Sequence, residues 1–326
     1  MWKKMLTAVL LCALLTACAP AGDPETADDG RLKVVSTVFP GYDFARAAGG
    51  DLVDVELLLP PGAESHSYEP TPADILAVQD CDLFIYLGGE SDAWVETILN
   101  SVDRRGADLR MIDCVELLAE EAVAGMQEEP GHDHAGEEDP AEEHHGAGEV
   151  VEMDEHVWTS PRNAAAITRA VGEKLAELDG DHAADYADSA ERYAEQIDVL
   201  DRAFASFFDS LPTRTIVFGD RFPLRYFAEE YGLDYYAAFP GCSTQTEPSA
   251  ATIAFLTDKV CTEHISTVFY IEFSNHLVAD SIAEATGTRT ARFHTCHNIS
   301  PEDLAGGATY VSLMEQNLET LRETLP

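Results

Sequence analysis

Positive charge is what this chain has least of: 20 Lys and Arg stand against 60 Asp and Glu in 326 residues, a formal charge of −40. Such a surface repels nucleic acid and anionic substrates and concentrates cations. The deficit is uneven, because no Lys or Arg occurs between Arg110 and Arg162. Long apolar runs are scarce too. Beyond the N-terminus every hydrophobic run is broken by charge within about ten residues, which excludes a membrane-spanning helix in the body of the chain. Neither His-Glu-x-x-His nor Gly-x-Ser-x-Gly occurs, which removes the zinc-protease helix and the nucleophile elbow of the α/β-hydrolases.

What is present begins with a leader. Lys3 and Lys4 precede an apolar stretch at 5–15, too short to span a bilayer, and Leu15-Thr16-Ala17-Cys18 follows as a small-residue cleavage site ending in cysteine. Residues 1–17 therefore read as a bacterial lipoprotein signal and 18–31 as a polar linker. Acylation of Cys18 would tether the mature chain to the outer face of the cytoplasmic membrane. With Cys12 lost and Cys18 lipidated, five cysteines remain: Cys81, Cys114, Cys242, Cys261 and Cys296. An odd number outside the cytoplasm leaves at least one free thiol. Cys81 and Cys114 fall at opposite ends of neighbouring strands and are not expected to pair. Cys261, on a helix with Phe255 and Val260, reads as a buried apolar residue.

The mature chain alternates strand and helix. Strands are expected at 32–37, 53–59, 83–87 and 109–113, with helices at 41–48, 71–79 and 93–101 between them. After helix 162–178 comes one long helix at 182–209, a strut of roughly 40 Å at 1.5 Å per residue. The alternation then restarts, with strands at 215–219, 235–239, 267–272 and 290–294 and a terminal helix at 310–325. This predicts an α/β protein of two lobes, each a small parallel sheet flanked by helices, joined by one long linking helix. The divisions are an N-terminal lobe at 32–161, a helical region at 162–211 and a C-terminal lobe at 212–326, and the apolar content of 45% suffices for two cores. A site would lie between the lobes, at the carboxyl ends of the strands.

Within the first lobe lies an acidic insert at 127–152 that carries His132, His134, His144 and His145, four of the eleven histidines. It has no apolar anchor between Pro130 and Val150, so it is expected to be poorly ordered and to collect divalent cations weakly. On either side stand two ordered histidine contexts. His66 lies in Gly62-Ala63-Glu64-Ser65-His66-Ser67-Tyr68-Glu69-Pro70-Thr71-Pro72, a loop between strand and helix, and His156 in Asp154-Glu155-His156-Val157-Trp158-Thr159-Ser160-Pro161.

These two motifs, with the His-rich insert between them, resemble the N-lobe metal motifs of the zinc and manganese solute-binding lipoproteins of ABC transporters. The resemblance runs from about Leu32 to Leu325 and includes the linking helix. It implies that His66 and His156 ligate the ion, that the insert marks a zinc-type member, and that the ion passes to a membrane permease. The C-terminal lobe departs from the pattern. Where the family has a His or Glu after the first C-lobe strand, this chain reads Gly219-Asp220-Arg221, so Asp220 is the nearest ligand-competent residue, with a helix cap as its other role. Where the family commonly has a final Asp, His294-Thr295-Cys296-His297-Asn298 contains none. Glu272 is a further ligand, or an acceptor that orients an imidazole. Cys242 and Cys296, on loops facing the same cleft, are expected to form a disulfide; in the alternative they are possible metal residues, with Cys296 a thiolate ligand and His294 or His297 beside it.

The function implied is capture of Zn2+, with Mn2+ the second choice, by a monomeric, lipid-anchored, non-enzymatic importer component. A secreted zinc hydrolase is the competing reading, since three protein ligands and an open water position would suit one. An adhesin is a third.

Overall fold

Among the described residues eight short segments form strands, and every pair of these strands is parallel. The computed structural model describes residues 30–64, 68–126, 152–243 and 247–325. Contacts group residues 1–31 as one unit and 32–326 as another, and the fold described is that of the second.

The N-terminal lobe runs β1 (Leu32–Ser36), α1 (Phe39–Gly49), β2 (Val53–Leu57), α2 (Pro72–Asp80), β3 (Leu83–Tyr86), α3 (Ala93–Ser101) and β4 (Ala107–Arg110). Residues 109–113, expected to be one strand, divide, because the chain tightens into a 3-10 turn at Met111–Cys114. Two helices follow, α4 (Pro161–Leu178) and the 28-residue α5 (Ala183–Ser210). The C-terminal lobe continues with β5 (Thr215–Phe222), α6 (Arg225–Tyr231), β6 (Asp234–Pro240), α7 (Ala250–Thr262), β7 (Thr267–Ile271), α8 (Leu277–Thr286), β8 (Arg289–Phe293), α9 (Pro301–Ala305) and α10 (Tyr310–Thr324). Strand order is β2-β1-β3-β4 in one sheet and β6-β5-β7-β8 in the other, the same arrangement twice. Among the described residues no helix is long and apolar enough to cross a membrane.

Parallel strands with helical crossovers bury both faces of a sheet, and the core reflects this. Two cores were expected, one per lobe. Instead one apolar cluster runs from Val34, Phe44 and Ile85 through Tyr186, Ile197 and Phe204 of α5 to Phe218, Phe269 and Phe293. The cause is the buried stripe of α5, whose Tyr186, Tyr193, Ile197, Leu200, Phe204 and Phe208 recur at helical spacing and pack on helices of both lobes, Tyr193 toward α1 and α10 and Phe204 and Phe208 toward α6. Smaller clusters, around Val35, Phe84 and Val95 and around Val217, Leu256 and Val268, lie outside it. At the centre Asp43 of α1 accepts from the Tyr193 hydroxyl and from the Tyr310 backbone N–H at 2.9 Å. One carboxylate thus joins α1, α5 and α10.

Cysteine placement corrects two expectations. Cys81, Cys114, Cys242, Cys261 and Cys296 are all free thiols, so the expected Cys242–Cys296 disulfide is not formed. Cys261 is exposed, because Thr252, Leu256 and Val260 supply the buried face of α7 and the next residue turns outward.

Candidate metal centre

Asp154, Glu155 and His156 precede a 3-10 turn at Val157–Thr159, and all three are buried. Buried polar groups need partners, and these have them. Asp154 Oδ1 accepts from the His156 backbone N–H at 2.8 Å and pairs with ring Nδ1 at 3.1 Å. That pairing assigns the ring proton to Nδ1 and leaves the lone pair on Nε2, as in imidazoles that bind metals with a carboxylate behind them. Burial opposes a charge on the ring, but Asp154, Glu155 and Glu120 outweigh it and raise the His156 pKa. Glu155 accepts from the Ser91 backbone N–H at 3.1 Å and from the Ser91 hydroxyl.

The next residue but one brings in the other lobe. Trp158 Nε1–H donates to the Thr295 carbonyl at 2.9 Å, and the Tyr310 hydroxyl donates to the Trp158 carbonyl at 2.8 Å. Against that indole stands His297, its ring centre 4.9 Å from Trp158 and 5.5 Å from His156, nearly perpendicular to the latter at 80°. Two imidazoles, one from each lobe, therefore line a single cleft together with Glu64, Arg221, Glu272 and Thr295. The lobes are also tied across its rim. Asn298 Nδ2 donates to the carbonyls of Pro60 and Ala63 at 2.9 Å each, and Arg221 pairs with Glu64 at 2.9 Å.

The expected site residues separate. His156 is in the cleft. His66 lies outside the described residues, as do His132, His134, His144, His145 and Cys18. Ala63 and Glu64, just before His66, line the cleft. Glu272 lines it too, yet its oxygens accept from the Thr295 backbone N–H at 2.7 Å and the Thr295 hydroxyl at 2.6 Å, so it braces the loop that carries His297. Asp220 does not line the cleft. The β5–β6 register shifts between Phe218 and Arg221, and the Asp220 carboxylate accepts from the Arg221 N–H at 2.8 Å and the Ile271 N–H at 3.4 Å. It caps the bulge and ties β5 to β7. Cys296 is fully buried at positive φ (59°), and burial holds its thiol well above the usual range. Because the chain alternates past β8, Thr295 and His297 reach the cleft while His294 and Cys296 turn inward.

Cys242 comes from the turn after β6. Gly241 makes its approach possible: a Cβ there would meet Pro223 Cα at 3.0 Å and Phe222 O at 3.1 Å, with Asp154 Oδ2 at 3.5 Å. The C-lobe turn thereby sits against the N-lobe acid cluster. A ligand atom each from Glu155, His156 and Cys242 lie within 4.8 Å of one another. Burial raises the Cys242 pKa, and the nearby Glu155, Asp154, Glu120 and Glu152 raise it further.

This arrangement has counterparts. Residues 34–324 match the family model of the periplasmic zinc-uptake complex component A, ZnuA. The chain belongs to this family. It is 32% identical over 325 residues to the zinc-binding lipoprotein AdcA of Streptococcus pneumoniae, covering 99% of this chain and 61% of AdcA, so the chain spans less than two thirds of that relative. It is 29% identical over 330 residues to the high-affinity zinc uptake system protein ZnuA of Bacillus subtilis, covering 99% and 98%. The crystal structure of the Zn(II)-bound ZnuA-like domain of S. pneumoniae AdcA superposes with a TM-score of 0.71 at 28% identity, over 91% of this chain and 99% of that one.

Sequence reasoning placed His297 only as a companion to Cys296, and did not pair Cys242 with His156. For His297 a signal existed, since it follows a C-lobe strand by an even number of residues from Thr295. Cys242 was a candidate metal residue, but nothing signalled its partners, because Glu155 and His156 are far away in sequence.

Proposed function

We propose that this chain is the extracytoplasmic solute-binding component of a metal ABC importer, one that captures Zn2+ between its lobes and delivers it to a membrane permease. The observation that carries this is the pair of buried imidazoles, His156 and His297, brought edge to face from opposite lobes with Asp154 orienting the first. Nitrogen donors held by an acidic second layer suit zinc better than manganese, which favours oxygen. In this reading His66 and His156 are the N-lobe ligands and His297 a C-lobe ligand, while Glu272 positions His297. The protein acts as a monomer, anchored through lipid at Cys18, with no chemistry of its own. The insert with His132, His134, His144 and His145 adds weak sites that feed the tight one.

Calorimetry on lipid-free mature protein, stripped of metal, tests the reading. One tight zinc equivalent is expected, retained when residues 130–150 are deleted, with no turnover of esters, peptides or phosphate esters by the loaded protein. Loss of the tight equivalent on deletion, or zinc-dependent hydrolysis, would overturn it.

A further inference from the structure

We propose that Cys242 binds the zinc ion through its sulfur, making the site a mixed thiolate and imidazole centre. The inference rests on the zinc-capture reading and adds a ligand to it. Its ground is geometric: Cys242 Sγ, a Glu155 oxygen and a His156 nitrogen, contributed by both lobes, lie within 4.8 Å of one another. Donors at about 2.0 Å for nitrogen and about 2.3 Å for sulfur stand roughly 3.5 Å apart around a tetrahedral zinc ion, so a contraction of about an ångström closes the group.

Other uses of this thiol fit the molecule less well. It forms no disulfide. Nor is it a small hydrophobe in an apolar setting, since its backbone N–H donates to Glu120 at 3.4 Å and a Glu155 oxygen lies within 4.8 Å of its sulfur. A half-buried thiol among carboxylates gains little from packing, whereas a divalent cation there would meet both sulfur and compensating negative charge. The backbone agrees, because Gly241 has no Cβ to keep the turn away from Asp154 and Pro223. On binding, the Zn–S bond forms as the S–H bond breaks, and the proton leaves to solvent; no oxidant or reductant takes part. The other C-lobe candidates cannot supply this donor as they stand, Asp220 being engaged by Arg221 and Ile271 N–H groups and Cys296 turned into the core.

Cobalt(II) is the probe, because a cobalt–thiolate bond adds an intense near-ultraviolet charge-transfer band to the visible bands of a tetrahedral ion. Full-length mature protein with one cobalt equivalent should show that band. Cys242→Ser should lose it, keep the visible bands and bind zinc more than 100-fold more weakly, whereas Cys296→Ser should keep it. In the unaltered protein, zinc should protect Cys242 from alkylation while the exposed Cys261 continues to react, which tests the claim even if the Cys242 variant does not fold. One tight cobalt without a charge-transfer band, a band that survives Cys242→Ser, or alkylation of Cys242 undiminished by zinc would each overturn the thiolate ligand and leave zinc capture standing. Absence of any tight zinc or cobalt equivalent in the unaltered protein would overturn both.

Discussion

The two lobes share a strand order, β2-β1-β3-β4 against β6-β5-β7-β8, yet they hold their cleft residues in different ways. In the N-terminal lobe the cleft-facing residue and its support are neighbours in sequence: Asp154 orients His156 from two positions away. In the C-terminal lobe the neighbouring support, Thr295, which accepts from the His297 N–H at 3.2 Å, is itself held from afar. His297 depends on Glu272, through Thr295, and on Trp158 of the opposite lobe, while Cys242 depends on the approach of Gly241 to Asp154. A local site can be carried by a short motif. A site assembled from distant loops needs the whole fold to bring its parts together, and its parts can be exchanged one at a time.

The strongest way to break this contrast is to remove an imidazole from each lobe. Loss of an outer partner of a metal ligand commonly costs 10–100-fold in affinity, and loss of the ligand itself should exceed that. His156→Ala and His297→Ala should each weaken zinc binding by more than 100-fold in competition titrations against a chromophoric chelator. Asp154→Asn should fall within the 10–100-fold range, because it leaves His156 and an acceptor oxygen in place but removes the negative charge behind the ring. If His297→Ala binds zinc as tightly as the unaltered protein, the C-terminal lobe contributes no imidazole and the local motif acts alone.

The shared core offers a second test, of whether the lobes are joined independently of metal. Burial raises the Asp43 pKa to about 6 from an ordinary 3.8, against the opposing effects of the Tyr193 and Tyr310 hydrogen bonds. A carboxyl whose pKa is higher folded than unfolded binds its proton more tightly in the native state, so stability from this group is full below about pH 4 and is lost as pH rises to about 6. The loss amounts to roughly 3 kcal/mol at neutral pH, at 1.36 kcal/mol per pH unit. Asp43→Asn should therefore gain stability relative to the unaltered metal-free protein as pH goes from 4 to 7 in urea titrations. A difference that stays constant over that range would mean the native carboxyl titrates normally and the core does not hold it as described.

How much of this could be read from sequence follows the same division. The long helix was legible because Tyr186, Tyr193, Ile197, Leu200 and Phe204 repeat at helical spacing, and its observed bounds, Ala183–Ser210, differ by one residue from those expected. The strands were legible as short apolar runs between breakers. What periodicity could not give was how many sides of an element are covered: α5 packs on α1 of one lobe and α6 of the other, so two expected cores merged into one. Cys261 was misplaced by a single step around a helix. Glu155 gave no signal as a partner of Cys242, since their meeting depends on the packing of one lobe's turn against the other's loop. The disulfide expected between Cys242 and Cys296 rested on both loops facing the cleft, and the inward turn of Cys296 at positive φ removes that premise.

Asp220 provides the finest test, because sequence made it a ligand and its geometry makes it a brace. The position is crowded from behind: Gly219 has no Cβ, and one placed there would meet the Ala279 backbone at 2.5 Å, so α8 presses on β5 where the register shifts. A bulge at that point re-aims the following side chain. The Asp220 carboxylate consequently receives the backbone N–H groups of Arg221 and Ile271, and burial raises its pKa despite those donors. Asparagine's single amide oxygen can replace one of the two acceptor oxygens and brings no charge to desolvate, so Asp220→Asn should change zinc affinity by less than about twofold while its stability relative to the unaltered metal-free protein rises as pH goes from 4 to 7. Chelator competition and urea titration on the same preparation read the two effects separately. A large loss of zinc affinity with unaltered stability would return Asp220 to the metal and would mean that β5, like the segment bearing His156, carries its ligand locally.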